Sequence, residues 1–138
     1  MNAQELAVIS RLKLPIKFFV LNNGGYCSIR ATQINYFDRR FVACDASSGL
    51  TFPDLAKTAD SCGIAYRRID SQENLHDKVS AILSGVCPVV CDVLMAPDQF
   101  TQPKVSSRQQ ADGRMVTAPM EDLWPFLDRE ELDAIMAG

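Results

Sequence analysis

The residues best placed to do chemistry follow one short apolar run. Lys17 to Leu21, KFFVL, gives way to Asn22, Asn23, Gly24 and Gly25, and then to Tyr26, Cys27 and Ser28. A run of that kind reads as a β-strand, and the carboxyl end of a strand is where open α/β sheets place ligands. Glycines let the main chain approach a bulky anion, and asparagine side chains offer short neutral oxygens suited to a hard cation such as Mg²⁺. The pattern therefore predicts a phosphate and metal site. The plain alternative is an ordinary turn, since Asn-Gly is a common turn dipeptide. Adjacent strand residues face opposite ways, so only one of the two asparagines can meet a metal. Alternation alone does not choose between them.

Other reactive side chains are less suggestive. The five cysteines, Cys27, Cys44, Cys62, Cys87 and Cys91, are scattered without C-x-x-C spacing. That argues against a disulfide framework or zinc site and for small buried hydrophobes. Cys87 and Cys91 would share one side of a strand, but His76 is the only histidine to join them. Cys27 would want a cationic neighbour or a helix amino terminus to be reactive, and position alone does not make it a nucleophile. Arg30, Arg39 and Arg40 could grip a carboxylate, although solvated surface arginine explains each of them. His76, beside Glu73 and Asp77, reads as surface.

These residues need a scaffold, and the chain has the length and composition for one. It has 138 residues, 47% hydrophobic and 22% charged, with a formal charge of −3. This describes a globular protein with no basic footprint for nucleic acid or anionic lipid. The longest apolar run is too short to span a bilayer and no signal peptide opens the chain, so a cytoplasmic location is expected. Residues 2–13 read as a helix with an apolar stripe of Leu6, Val8, Ile9 and Leu12, stopped by Pro15. The strand Ile16 to Leu21 is apolar without alternation, as in a parallel sheet covered on both faces. A helix from Cys27 to Tyr36 follows. Pro53 opens the next, which Gly63 closes before a strand Ile64 to Ile69. A helix Glu73 to Ser84 then precedes a strand Pro88 to Leu94. Beyond Met95, prolines punctuate a polar stretch expected to be an extended tail with short helices at Glu121 to Leu127 and Arg129 to Met136, anchored by Trp124 and Phe126.

The blocks MNAQEL, LPIKFFVLNNGGYCSIRATQ, GLTFPDLAKTADSCGI, PKVSSR, ADGRM and PMEDLWPFLDREEL, in that order, resemble the carboxyl-terminal diphosphate-binding domain of acetolactate synthase-like thiamine diphosphate enzymes. The resemblance implies an α/β fold, a Rossmann-like three-layer arrangement with a parallel sheet flanked by helices. Met1 falls just after the point where that family has a Gly-Asp-Gly turn. The turn's metal-ligating Asp and the first strand are therefore expected to be missing, and the chain is expected to be a truncated or split piece. Residues 1–95 would form a partial cofactor-binding domain. Residues 96–138 would form a tail packing on it or on a neighbour.

By resemblance, Asn23, Gly25, Tyr26, Cys27 and Ser28 bind thiamine diphosphate, with the Asn23 side-chain oxygen and the Gly25 carbonyl also meeting Mg²⁺, so that replacing Asn22 is expected to matter less than replacing Asn23. No catalytic residue is expected in this chain. The activating carboxylate belongs to a pyrimidine-binding domain or second subunit across the site, in a homo- or hetero-oligomer. FAD, where relatives carry it, belongs to a middle domain rather than this segment. The implied activity is decarboxylation of a 2-oxo acid such as pyruvate and carboligation to a second carbonyl compound. The alternative is a non-catalytic interaction subunit of a split enzyme. An unrelated nucleotide-binding domain ranks last, because no P-loop or G-x-G-x-x-G follows a strand.

Overall fold

The computed structural model describes residues 2–99, 101–110 and 112–137. Met1 and Ala111, which begin two of the blocks above, lie outside them. The chain divides into two compact units, residues 1–99 and 100–138.

In the first unit the elements run α1 (Glu5–Leu12), β1 (Lys17–Asn22), α2 (Cys27–Tyr36), α3 (Leu55–Ser61), β2 (Ala65–Ile69), α4 (Leu75–Ser84) and β3 (Val89–Leu94). The three strands form one parallel sheet in the order β1-β3-β2. This is the expected α/β architecture of a parallel sheet flanked by helices. Connections between parallel strands must cross over the sheet, and here α2 with α3, then α4, make those crossovers.

Local chemistry sets the boundaries. Lys13, in a left-handed conformation at φ 52°, closes α1 ahead of Pro15. The third helix begins later than Pro53 because Asp54 caps it, its carboxylate accepting the Lys57 amide at 3.0 Å. Gly63, at φ 67°, ends the same helix, and the Ile64 amide donates back to the Ala59 carbonyl at 2.9 Å. That is the bond by which a left-handed glycine satisfies a helix's last carbonyls.

The core is small. Ala59, Ile64 and Val90 are buried, with Leu6, Ile9, Phe18, Val20, Cys62 and Tyr66 packed around them. Only part of the expected stripe on α1 is used: Leu6 and Ile9 face this core, whereas Val8 and Leu12 are 48% and 57% exposed. Of the cysteines, Cys44 and Cys91 are buried, while Cys87 is exposed and Cys27 and Cys62 are intermediate.

The second unit departs from the expected tail. Its polar stretch forms an antiparallel hairpin of β4 (Ser107–Gln109) and β5 (Met115–Thr117), with Gly113 at φ 84° in the turn. Residues 121–127 are not the expected helix. Trp124 instead exchanges backbone hydrogen bonds with Lys104, at 2.8 and 3.0 Å, and Pro125, inside the segment, has no amide hydrogen to continue a helix. The Lys104 ammonium lies 5.4 Å from the Trp124 ring centre, and buried Asp122 pairs with Arg129 at the start of α5 (Arg129–Ala137).

Candidate functional site

Where β1 ends, two asparagine side chains fold the backbone in succession. Asn22 Oδ1 accepts the Gly24 amide and Asn23 Oδ1 accepts the Gly25 amide, each at 3.1 Å. Asparagine does this readily because its carbonyl mimics a backbone acceptor two residues back. Gly24 takes φ 71°, a conformation that penalises any side chain. Gly25 is required for a different reason. The Tyr26 amide donates to the Cys44 carbonyl at 2.8 Å, and a Cβ at Gly25 would lie 2.3 Å from that carbonyl oxygen. The absent side chain thus makes room for the chain's own backbone and not only for a ligand.

The α2 helix begins at once, at Cys27, with Tyr26 as a cap residue that supplies no side-chain bond. The first amides of a helix lack intrahelical partners and carry partial positive charge, so this end of α2 favours an anion. Asn23, Gly25 and Tyr26 line a cavity of about 480 Å³ together with Asn22, Thr51 and Phe52. Tyr26 meets Phe52 edge to face, with ring centres 5.4 Å apart. Cys27 and Ser28 are not in that lining. The Cys27 thiol points to the Gln99 carbonyl at 3.7 Å, and the Ser28 carbonyl accepts the Thr32 hydroxyl at 3.0 Å.

The loop behind the turn is held by Asp45. Its carboxylate accepts the Ser47 hydroxyl at 2.7 Å and the Ser48 amide at 3.0 Å, and it pairs with Arg30. The hydroxyls of Ser47 and Ser48 are the main reason its pKa falls from 3.8 to about 2, with burial opposing and Arg30 adding a smaller pull. Arg30 also bonds Asp98 at 3.1 Å and lies 4.8 Å from the Phe41 ring centre. It is therefore committed to the scaffold rather than presented to a substrate. Arg39 and Arg40 are exposed, as is His76, whose Nδ1 lies 3.6 Å from its neighbour Asp77.

The helix end could meet an anion, and the turn has two oxygens that a hard cation could use. The turn offers the Asn23 amide oxygen, which keeps a second lone pair beside its bond to Gly25, and the Gly25 carbonyl. Both are neutral. The carboxylates around the turn are engaged, Asp45 as described and Asp92 with Asn22 and Tyr66. Among the described residues no group of three or more His, Cys, Asp or Glu could hold a metal. A hard cation here would need charged oxygen from beyond these residues.

Asp92 is the functional candidate that sequence reasoning missed. It is 6% exposed on the otherwise apolar β3, and its two oxygens accept Asn22 Nδ2 at 2.9 Å and the Tyr66 hydroxyl at 3.0 Å. Burial, then the bond to Asp92, raises the Tyr66 pKa and keeps the phenol a donor. The signal was present in VVCDVL, because a lone carboxylate inside a buried strand has to have partners. Asn22, expected to matter little, is thereby tied to the sheet.

Residues 1–93 match the family model described as thiamine pyrophosphate enzyme, C-terminal TPP binding domain. Relatives include an acetolactate synthase large subunit from Cyanidium caldarium, 30% identical over 77% of this chain and 18% of the relative. Another, from Parasynechococcus marenigrum, is 30% identical over 86% of this chain and 19% of the relative. A mitochondrial acetolactate synthase from Schizosaccharomyces pombe is 29% identical over 76% of this chain and 15% of the relative. The chain thus spans less than a fifth of the length of these relatives.

Proposed function

From the premise that the chain belongs to the thiamine pyrophosphate enzymes, as a C-terminal TPP-binding domain of the acetolactate synthase-like kind, we propose that the Asn22–Ser28 segment forms the diphosphate- and Mg²⁺-facing wall of the cofactor site. The activity served is decarboxylation of a 2-oxo acid such as pyruvate followed by carboligation, in an enzyme whose other parts complete the site. One observation supports this most: the doubly asparagine-folded turn opens on a cavity and leads straight into an uncapped helix end.

When bound, thiamine diphosphate supplies the electron sink for such chemistry. The chain's own residues bind and orient. The Asn23 side-chain oxygen and the Gly25 carbonyl would hold the metal, and the Cys27 and Ser28 amides at the start of α2 would hold the diphosphate. Tyr26, braced on Phe52, walls the cavity. Charge for the metal would come from the Asp of a Gly-Asp-Gly turn outside these residues, and a proton-moving carboxylate from a pyrimidine-binding domain or second subunit. Flavin, if the complete enzyme uses it, would lie outside this segment. The free thiols Cys27, Cys44, Cys62, Cys87 and Cys91 fit a reducing compartment, and we place the protein in the cytoplasm. No described helix is long and apolar enough to cross a membrane.

The test is a titration of the chain with thiamine diphosphate and Mg²⁺, followed by backbone amide NMR. Gly25, Tyr26, Cys27 and Ser28 are expected to shift, while thiamine without its diphosphate leaves them in place. Shifts elsewhere only, or equal shifts with thiamine, would overturn the assignment.

A second reading, a non-catalytic interaction subunit, is favoured by one feature. Among the described residues the β1 strand pairs on one side only, with β3, and its Leu21 is 65% exposed. An unpaired edge of that kind is a template for another chain. Sedimentation showing a compact monomer that binds no apolar-surface dye would count against it.

A further inference from the structure

Asp92 sits at the centre of the first unit's sheet with its carboxylate spanning both neighbouring strands. Asn22 pairs in register with Leu94, and Tyr66 with Val90, so each lies two residues from Asp92 along β3 and on the same face. We infer that Asp92 is a positioning residue, whose bond to the Asn22 amide sets the direction of that amide and so builds the turn that carries Asn23 and Gly25.

The argument rests on hydrogen-bond polarity. A primary amide has two ends of nearly equal shape, one that only donates and one that only accepts. An ionised carboxylate only accepts, so Asn22 must turn its NH₂ toward Asp92. The carbonyl end then faces the Gly24 amide, which can only donate. The opposite orientation would set oxygen against carboxylate and NH₂ against N–H, losing both bonds and adding two repulsions. The observed bonds follow this direction: Asp92 Oδ1 accepts from Asn22 Nδ2 at 2.9 Å, and Asn22 Oδ1 accepts from Gly24 at 3.1 Å. The Tyr66 hydroxyl, donating to Asp92 Oδ2 at 3.0 Å, holds the second oxygen and fixes the plane of the carboxylate. A neutral amide at position 92 could meet Asn22 in either direction and would lose this control without losing volume.

What the turn binds rests on the proposed function; its construction by Asp92 does not. The test uses the full chain in four forms: wild type, Asp92→Asn, Tyr66→Phe, and the exchanged pair Asp92→Asn with Asn22→Asp. Exchange of the Gly24 amide with solvent deuterium is followed by NMR, alongside thermal melts. In Asp92→Asn the Gly24 amide is expected to exchange about five- to tenfold faster, the factor one net hydrogen bond provides. In the exchanged pair the carboxylate sits at the turn and accepts from both the β3 amide and Gly24. Exchange there is expected to return to within about twofold of wild type, a rescue no loss of packing would produce. Tyr66→Phe keeps the carboxylate and is expected to raise Gly24 exchange less than Asp92→Asn does.

Unchanged Gly24 exchange in Asp92→Asn would overturn the inference. So would an exchanged pair no better than the single variant, or an equal effect of Tyr66→Phe. Titration with thiamine diphosphate and Mg²⁺ separates the two claims. Weaker binding in Asp92→Asn supports both. Faster Gly24 exchange with unaltered binding would uphold the role of Asp92 and overturn the site assignment.

Discussion

Replacing Gly25 with alanine tests whether this turn is held by its own backbone, and Gly24→Ala provides the comparison. A Cβ at Gly25 would stand 2.3 Å from the Cys44 carbonyl oxygen, whereas real Cβ contacts essentially never fall below 3.0 Å. Something must therefore move by roughly 0.7 Å, a shift that a close-packed interior does not absorb freely. The Cys44 carbonyl is also the acceptor for the Tyr26 amide at 2.8 Å, so relief by retreat of that carbonyl weakens or breaks the bond joining turn and loop. The loss of one hydrogen bond, about 1 kcal/mol, adds to overpacking of about 1–3 kcal/mol. The expected destabilisation is about 2–4 kcal/mol on those terms. At Gly24 a Cβ meets nothing within 4 Å, and the only penalty is the left-handed conformation, about 1–2 kcal/mol. Urea denaturation of both variants beside the wild type measures the difference. If Gly24→Ala proves at least as damaging as Gly25→Ala, or if Gly25→Ala stays within about 0.5 kcal/mol of wild type, the assigned packing is wrong.

Three further outcomes follow from the same contacts. Asp45 titrates lower in the fold than its ordinary 3.8, so its contribution to stability is complete above that value and disappears as pH falls from there through about 2; urea midpoints should drop more steeply over that range in wild type than in Asp45→Asn. Asn22→Ala removes the bonds to both Asp92 and Gly24, leaving a buried carboxylate short of a partner, and should cost about 2–3 kcal/mol against about 1 kcal/mol for Asn23→Ala; denaturation midpoints in the reverse order would refute this. With Asp45 and Asp92 both committed to scaffold bonds, the chain with pyruvate, Mg²⁺ and thiamine diphosphate is expected to show no turnover above a cofactor-only blank, and carbon dioxide release well above it would contradict the reading.

The first unit was largely legible because its signals are strong. An apolar run ending in Asn-Asn-Gly-Gly can hardly be anything but a strand and a turn, and Gly63 and Pro15 mark helix ends by backbone geometry alone. Legibility failed where a residue's role depends on a partner distant in the chain. Asp92 reads as an interruption in an apolar strand until Asn22 and Tyr66 are brought beside it across the sheet. Gly25 reads as a ligand cradle until the Cys44 carbonyl arrives. In the second unit, β4 and β5 are three residues each, too short to show the apolar alternation that announces a strand, and the residues of β5 are exposed. Trp124 likewise reads as part of a helix until its backbone is seen paired with Lys104.

The strand order β1-β3-β2 also dictates a sequence of events during synthesis. Among the described residues both outer strands pair only with β3, which is the last of the three to leave the ribosome. Until Val89–Leu94 emerges, Lys17–Asn22 and Ala65–Ile69 lack the one strand they pair with among the described residues, and the Asn22 amide lacks the carboxylate that directs it. Sheet and turn therefore form together and late, joining segments some seventy residues apart. Such long-range closure is slow, because loop entropy is lost before any contact compensates it. The nascent chain presents the apolar FFVL of β1 throughout that interval, when a chaperone could engage it or another chain could pair with it.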